Sequence, residues 1–270
     1  MKLSEIYKIA DGLAPKTLSD EYCAEFEAYD NSGILIDTGE EIQGVLCSLD
    51  LSFAAIEKAK KIGANLIITH HPAMYGKLNH ARYNGTDLVE QKLVQCLKNG
   101  ISVISMHLNL DVAMGGVDES LAQGVCEATG SKNQSLKNLA IMHSIRTGGY
   151  GRAYDVKEST VKDLSKGLQT IFKTRRLLVY GNEEQKISRI ASFCGAGADE
   201  VAVLFAKEQG AQAIVSSDFK HHVLTTAVES GLAVFALTHY ASEAYGMKKY
   251  YEKIRQQLAI PCEYHMDDLF

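Results

Sequence analysis

The chain has 270 residues, 46% hydrophobic and 23% charged, enough for one large domain or two ordinary ones with buried cores. Its 28 basic and 33 acidic residues give a formal net charge of -5, which supplies no general attraction to nucleic acid or to an anionic membrane. No apolar run approaches the roughly 20 residues of a membrane span, and the six scattered cysteines form no CxxC pair, so they read as reduced, mainly buried thiols of a cytoplasmic protein.

The opening, MKLSEIYKIADGLAPKT, has a helical period over about 3–13 and reads as a helix, not as a secretory signal or transit peptide. A mixed segment follows, with turn signals at Asn31-Ser32-Gly33 and Thr38-Gly39. After the strand GVLCSLD, Ser52 is the expected N-cap of a helix that ends at Gly63. Leu66-Ile67-Ile68 is a buried strand running into Thr69, His70, His71 and Pro72. The helix TDLVEQKLVQCLKNG ends at Gly100, the strand ISVISMH follows, and Asp118 is the expected N-cap of ESLAQGVCEATG. Apolar β-branched runs alternating with amphipathic helices predict an α/β fold with mixed, mainly parallel sheets.

The later half repeats this plan. IASFCGAGADEVAVLFAKEQGAQAIVSSDFKHH matches VLCSLDLSFAAIEKAKKIGANLIITHHP element by element, with Gly210 opposite Gly63. SGLAVFALTHYASE matches NGISVISMHLNLD, with Gly231 opposite Gly100. The chain therefore reads as a duplicated α/β unit, two intertwined domains facing a shared cleft. The expected division is 1–130 plus 232–270 against 131–231. All four matched strand ends are polar (THHP, MHLNLD, SSDFKHH, THYASE), and ligands of open α/β sheets bind beyond the carboxyl ends of strands.

Those ends suggest a metal site. If a helix starts just after AVFAL, His239 and Glu243 lie one turn apart on one face and suit a divalent ion, although such a pair alone is also an ordinary surface pair. Asp111, four residues past His107, reads on its own as a turn residue. His70 and His71 carry the stronger signal, because two buried histidines must satisfy two ring nitrogens each. On a strand their side chains diverge, so each would hold a different ion of a pair. His107, Asp218 and the pair His221-His222 stand at equivalent strand ends and are candidates for proton transfer or for orienting ligands. His80, His143 and His265 read as solvated.

The motifs LIITHHPAMY, MHLNLDVAMGGVDESLA, SFCGAGADEV, SSDFKHH and THYASE resemble, in order, those of the GTP cyclohydrolase 1 type 2 homologues, also called Nif-three-like dinuclear metal proteins. The resemblance runs from about residue 30 to the C-terminus. It implies two divalent ions per subunit (Zn, Mn or Fe), one shared by His70 and His239, the other by His71 and Asp111, with Glu243 bridging both. It also implies a homo-oligomer, a hexameric ring. Thr238 stands where relatives often have glycine, and Ser216-Ser217-Asp218 replaces the usual Thr-Gly-Asp. Both departures add bulk beside the cleft without removing a ligand.

The function that follows is a metal-dependent hydrolase. By the resemblance its substrate is GTP, with hydroxide attacking C8 of guanine, opening the imidazole ring and releasing formate. His107, Asp218 and His222 are the candidate proton carriers. The chain has neither a Walker loop nor a Rossmann fingerprint, so Arg152 and Lys220 are the candidates for an anionic substrate group. The alternative is a non-catalytic metal-binding scaffold or regulatory partner. Nucleic-acid binding finds little support in a mildly acidic chain without an aromatic-basic stripe.

Overall fold

Four glycines mark the repeat in three dimensions. Gly63, Gly100, Gly210 and Gly231 each end a helix with φ between 63 and 82°. The residue after each donates its N–H to the carbonyl five residues back: Ala64 to Ala59, Ile101 to Cys96, Ala211 to Ala206 and Leu232 to Ala227. This left-handed cap turns the chain directly from helix into strand.

The computed structural model describes residues 1–74, 76, 86–131 and 136–267, and divides them into two units. The first is Met1–Ala113 with residues 247–267; the second is Met114–Gly246. The first unit opens with α1 (Leu3–Leu13), α2 (Lys16–Phe26) and β1 (Gly33–Ile36). It continues with β2 (Val45–Ser48), α3 (Phe53–Ile62), β3 (Leu66–Thr69), α4 (Leu88–Lys98), β4 (Ser102–Ser105) and α5 (Leu108–Val112). The second unit runs through α6 (Val117–Ala128), β5 (Lys137–Ile145), β6 (Gly148–Thr160), α7 (Val161–Ile171), β7 (Leu177–Tyr180) and β8 (Lys186–Ser192). After these come α8 (Glu200–Glu208), β9 (Ala213–Ser216), α9 (His221–Glu229), β10 (Ala233–Leu237) and the start of α10 (His239–Ile254). The chain then returns to the first unit and adds β11 (Cys262–Tyr264).

The first sheet has the order β1-β4-β3-β2-β11, antiparallel at β1/β4 and parallel elsewhere. The second has the order β5-β6-β8-β9-β10-β7, parallel only at β8/β9 and β9/β10. Its three antiparallel pairings come from the β5–β6 hairpin and from edge strand β7. Each sheet thus embeds the same three-stranded parallel core. In one, Leu46, Ile67 and Val103 form a row across β2, β3 and β4 under Ile56, Ala59 and Leu93. In the other, Ala191, Ile214 and Val234 do the same under Ala202, Ala206 and Val223. Strands β2, β3, β4 and β9 are buried along their whole length, which explains why apolar residues dominate them up to the Ser or Thr that ends each.

Three local features differ from expectation. The unit boundaries fall at 114 and 247, not at 131 and 232, because α6 packs on α7 and β6, while β10 hydrogen-bonds to β9 and β7. The N-cap of α6 is Gly116, and Asp118 is a buried residue of its first turn. Helix α2, capped by Pro15, occupies a stretch that periodicity did not single out. Among the described residues no helix is long and apolar enough to cross a membrane.

Candidate metal centre

The parallel register aligns Ser48, Thr69 and Ser105, so β2, β3 and β4 release their carboxyl ends at one edge. Asp50, His70, His71, Met106 and His107 emerge there. The histidine pair lies just past the end of β3, so strict strand alternation no longer applies, and the two rings sit side by side with centroids 5.0 Å apart. One ring nitrogen of each lies within 4.8 Å of the other's. Thr69 Oγ1 donates to the His71 carbonyl at 2.7 Å and Ser105 Oγ to the His70 carbonyl at 3.1 Å, which fixes the backbone of the pair.

Each ring is oriented from behind. His70, fully buried, has Nδ1 2.8 Å from the Met106 carbonyl oxygen. His71 has Nδ1 2.7 Å from Asp50 Oδ1. An acceptor at Nδ1 holds the proton there and leaves Nε2 with its lone pair, the tautomer a metal ligand needs. His70 Nε2 is 3.4 Å from Oδ1 of Asp111, which the short helix α5 carries back toward the strand ends. Asp111 is therefore a helical residue, not part of an open turn.

His107 belongs to the same group. Its ring centroid is 5.5 Å from that of His70 and 5.9 Å from that of His71, and its Nδ1 lies 2.9 Å from Asp30 Oδ1. Burial alone would raise the pKa of Asp30, but hydrogen bonds from His107, Ser32 and Ser19 outweigh it and hold this carboxyl well below the usual carboxylate range.

In the second unit α10 starts at His239, and Glu243 follows one turn later with Oε2 3.0 Å from His239 Nε2. Asp218, in left-handed backbone just beyond β9, places Oδ2 2.5 Å from His239 Nδ1. Gly195, at the end of the segment leaving β8, makes room for Glu243. A Cβ there would lie 2.2 Å from Glu243 Oε1, and its φ of +55° disfavours any side chain. Its N–H donates to Ser242 Oγ at 3.1 Å, and its carbonyl accepts from Ser217 Oγ at 2.5 Å. Cys194 brings Sγ within 4.8 Å of a Glu243 carboxylate oxygen.

The other candidates stand elsewhere. Arg152, a candidate for an anionic substrate group, is instead 2% exposed and ion-paired to Asp118. Fully buried Asp118 also accepts from the N–H groups of Gly151 at 3.0 Å and Cys194 at 3.1 Å. Arg152 thus ties β6 to α6. His222 pairs with Glu200 at 2.7 Å, both side chains more than half exposed. Lys220 is exposed at the N-cap of α9. His143 lies within β5, His265 pairs with Asp267 at 3.3 Å, and His80 lies outside the described residues. The sequence reading missed Asp50, Asp30, Cys194 and Gly195. Their only signal was position at or near polar strand ends.

The donor set fits a divalent metal. A neutral imidazole Nε2 facing a carboxylate oxygen, as at His70–Asp111 and His239–Glu243, juxtaposes two lone-pair atoms and calls for a cation, a proton or a metal ion. Imidazole and carboxylate together suit several first-row divalent ions.

A family model described as Duf34/NIF3 (NGG1p interacting factor 3) matches residues 1–266. A GTP cyclohydrolase 1 type 2 homolog of Clostridium perfringens is 29% identical over 266 residues, covering 98% of this chain and 95% of that protein. Its namesake from Methanocaldococcus jannaschii is 29% identical over 260 residues, 96% of each. Among solved structures, reduced HcgD from Methanocaldococcus jannaschii superposes with a TM-score of 0.78 at 26% identity, over 98% of this chain and 97% of that one. A Staphylococcus aureus protein superposes at 0.80 with 24% identity, over 100% and 98%.

Proposed function

The chain belongs to the Duf34/NIF3 family, and from that premise we propose that it is a hydrolase dependent on two divalent metal ions. His70, His71, Asp111, His239 and Glu243 are the residues that would hold them. One observation carries the reading: His70, His71 and His239 each have Nδ1 against a fixed oxygen, from Met106, Asp50 and Asp218. An oxygen at Nδ1 leaves Nε2 to meet an ion, as a ligand requires, and Nε2 of His70 and of His239 each face a carboxylate oxygen, of Asp111 and Glu243.

When bound, such ions supply Lewis acidity, lowering the pKa of water and polarising the group attacked. The chain's own residues divide the remaining work. Asp50 and Asp218 orient His71 and His239. His107, held at Nδ1 by Asp30, keeps Nε2 for carrying a proton to or from the leaving group. Gly195 leaves space for the Glu243 carboxylate.

The relatives' names supply the candidate substrate. GTP is the first molecule to test, with ring opening at C8 and formate as product; a phosphoester or a cyclic amide would call on the same ligands. The test is formate release from GTP by Mn-, Fe- or Zn-loaded protein, alongside a panel of phosphoesters. Turnover abolished in His71→Ala and Glu243→Ala proteins of unchanged fold supports the proposal. No turnover of any member by fully metal-loaded protein contradicts it and leaves a binding role.

A further inference from the structure

The sequence KTRRLL, residues 173–178, concentrates positive charge in an otherwise acidic chain, and none of it enters the site described above. In the structure these residues lead into β7, the edge strand beside β10. The antiparallel register pairs Leu177 with Leu237 and Leu178 with Ala236. Arg175 and Arg176 directly precede Leu177, as Thr238 and His239 directly follow Leu237, at the same end of the two strands. The two arginines therefore stand at the carboxyl end of β10, where parallel strands of an α/β sheet present their ligands.

The turn that presents them is fixed. Lys173 has a left-handed φ of 50°, and Thr174, 6% exposed, donates its N–H to the Gln169 carbonyl at 3.1 Å. The Thr174 hydroxyl then accepts from the Arg176 N–H at 3.1 Å and donates to the Arg176 carbonyl at 3.4 Å. Between this turn and the start of α9 lies a cavity of about 530 Å³, within the range of small-ligand sites. Arg175 and Arg176 line one side, and Leu177, Phe219 and Leu237 supply apolar surface. Asp218, whose Oδ2 meets His239 Nδ1, joins the cavity to the candidate metal ligand.

We propose that Arg175 and Arg176 form an anion-binding subsite behind His239, which takes the phosphate or carboxylate of a ligand whose apolar or aromatic body lies over Phe219 and Leu237. Guanidinium groups match the planar, two-oxygen geometry of both anions. The apolar floor favours an aromatic or aliphatic body over a bare inorganic ion. That this ligand is the substrate rests on the hydrolase reading; the anion binding does not.

The test uses phenyl phosphate, benzoate and phenol as probes, titrated calorimetrically into metal-loaded full-length protein. The wild type binds one or both anions saturably and phenol far more weakly. The preferred anion identifies the source, phosphate or carboxylate. In the Arg175→Gln/Arg176→Gln protein the affinity falls about tenfold or more, as expected for losing charge-assisted hydrogen bonds. Arg176→Lys, which keeps charge without the fork, falls in between. Metal content and unfolding midpoint, measured on the same samples, stay at wild-type values. Absence of saturable anion binding by the wild type, or equal affinity in the double variant, overturns the subsite. Binding that disappears on chelation yet persists in the double variant also overturns it, because the anion then sits on the metal. Loss of anion binding with metal retained supports the subsite whatever becomes of the hydrolase reading.

Discussion

Oδ1 of Asp50 lies 2.7 Å from Nδ1 of His71, joining the carboxyl ends of two neighbouring parallel strands. The carboxylate keeps the ring proton on Nδ1 and makes Nε2 the more basic ligand atom. Asp50→Ala should weaken metal binding about 10- to 100-fold, and Asp50→Asn less, because its amide oxygen still accepts. Competition against a chromophoric chelator measures this. Wild-type affinity in Asp50→Ala would mean that His71 is not a ligand.

Gly195 is the point at which a single methyl group should damage the second unit's ligands. A Cβ 2.2 Å from Glu243 Oε1 must displace that carboxylate. Gly195→Ala is therefore expected to lower bound metal while the far-ultraviolet circular dichroism stays native, with a stability cost of about 1 kcal/mol from left-handed backbone strain. Unchanged metal content by plasma emission spectroscopy would show that Glu243 does not need this room.

Asp118 and Arg152 should govern stability. Removing the acid alone, as in Asp118→Ala, leaves a buried guanidinium and two backbone donors without their acceptor. The expected cost is about 3–5 kcal/mol in urea unfolding. The double replacement Asp118→Leu/Arg152→Met should cost less than Asp118→Ala. A cost below about 1 kcal/mol for Asp118→Ala would contradict the pairing.

Asp30 predicts a pH dependence. Its folded pKa is depressed below the ordinary value of 3.8, so the carboxylate contributes stability that is fully present above that value. The contribution disappears as pH falls through the folded pKa. Between pH 5 and pH 3 the wild type should lose more unfolding free energy than Asp30→Asn. Parallel losses in the two proteins would show that Asp30 does not titrate in this way.

The sequence made the scaffold and the ligands legible to different degrees. Gly63, Gly100, Gly210 and Gly231, each followed by an apolar residue, announced helix ends and strand starts, and so the duplication. Thr69-His70-His71-Pro72 and His239–Glu243 stood out because ionisable groups at the ends of apolar strands are costly without a purpose. The groups behind them did not stand out. Asp50 is 21 residues from His71 and Asp30 is 77 from His107, so their pairing depends on sheet order, which periodicity does not give. Arg152 misled for the same reason: its partner, Asp118, resembled a helix cap and is a buried counter-ion. The β5–β6 hairpin, too, was hidden, since GGYGRAYDV carries no clean alternation to set it apart.

The most direct measurement is metal stoichiometry, by plasma emission spectroscopy of protein reconstituted with Mn, Fe or Zn and freed of excess ion. The expected result is two ions per chain in the wild type, fewer in His71→Ala and His239→Ala, and the greatest loss in Glu243→Ala. One ion or none in the wild type, or two retained in Glu243→Ala, would contradict it.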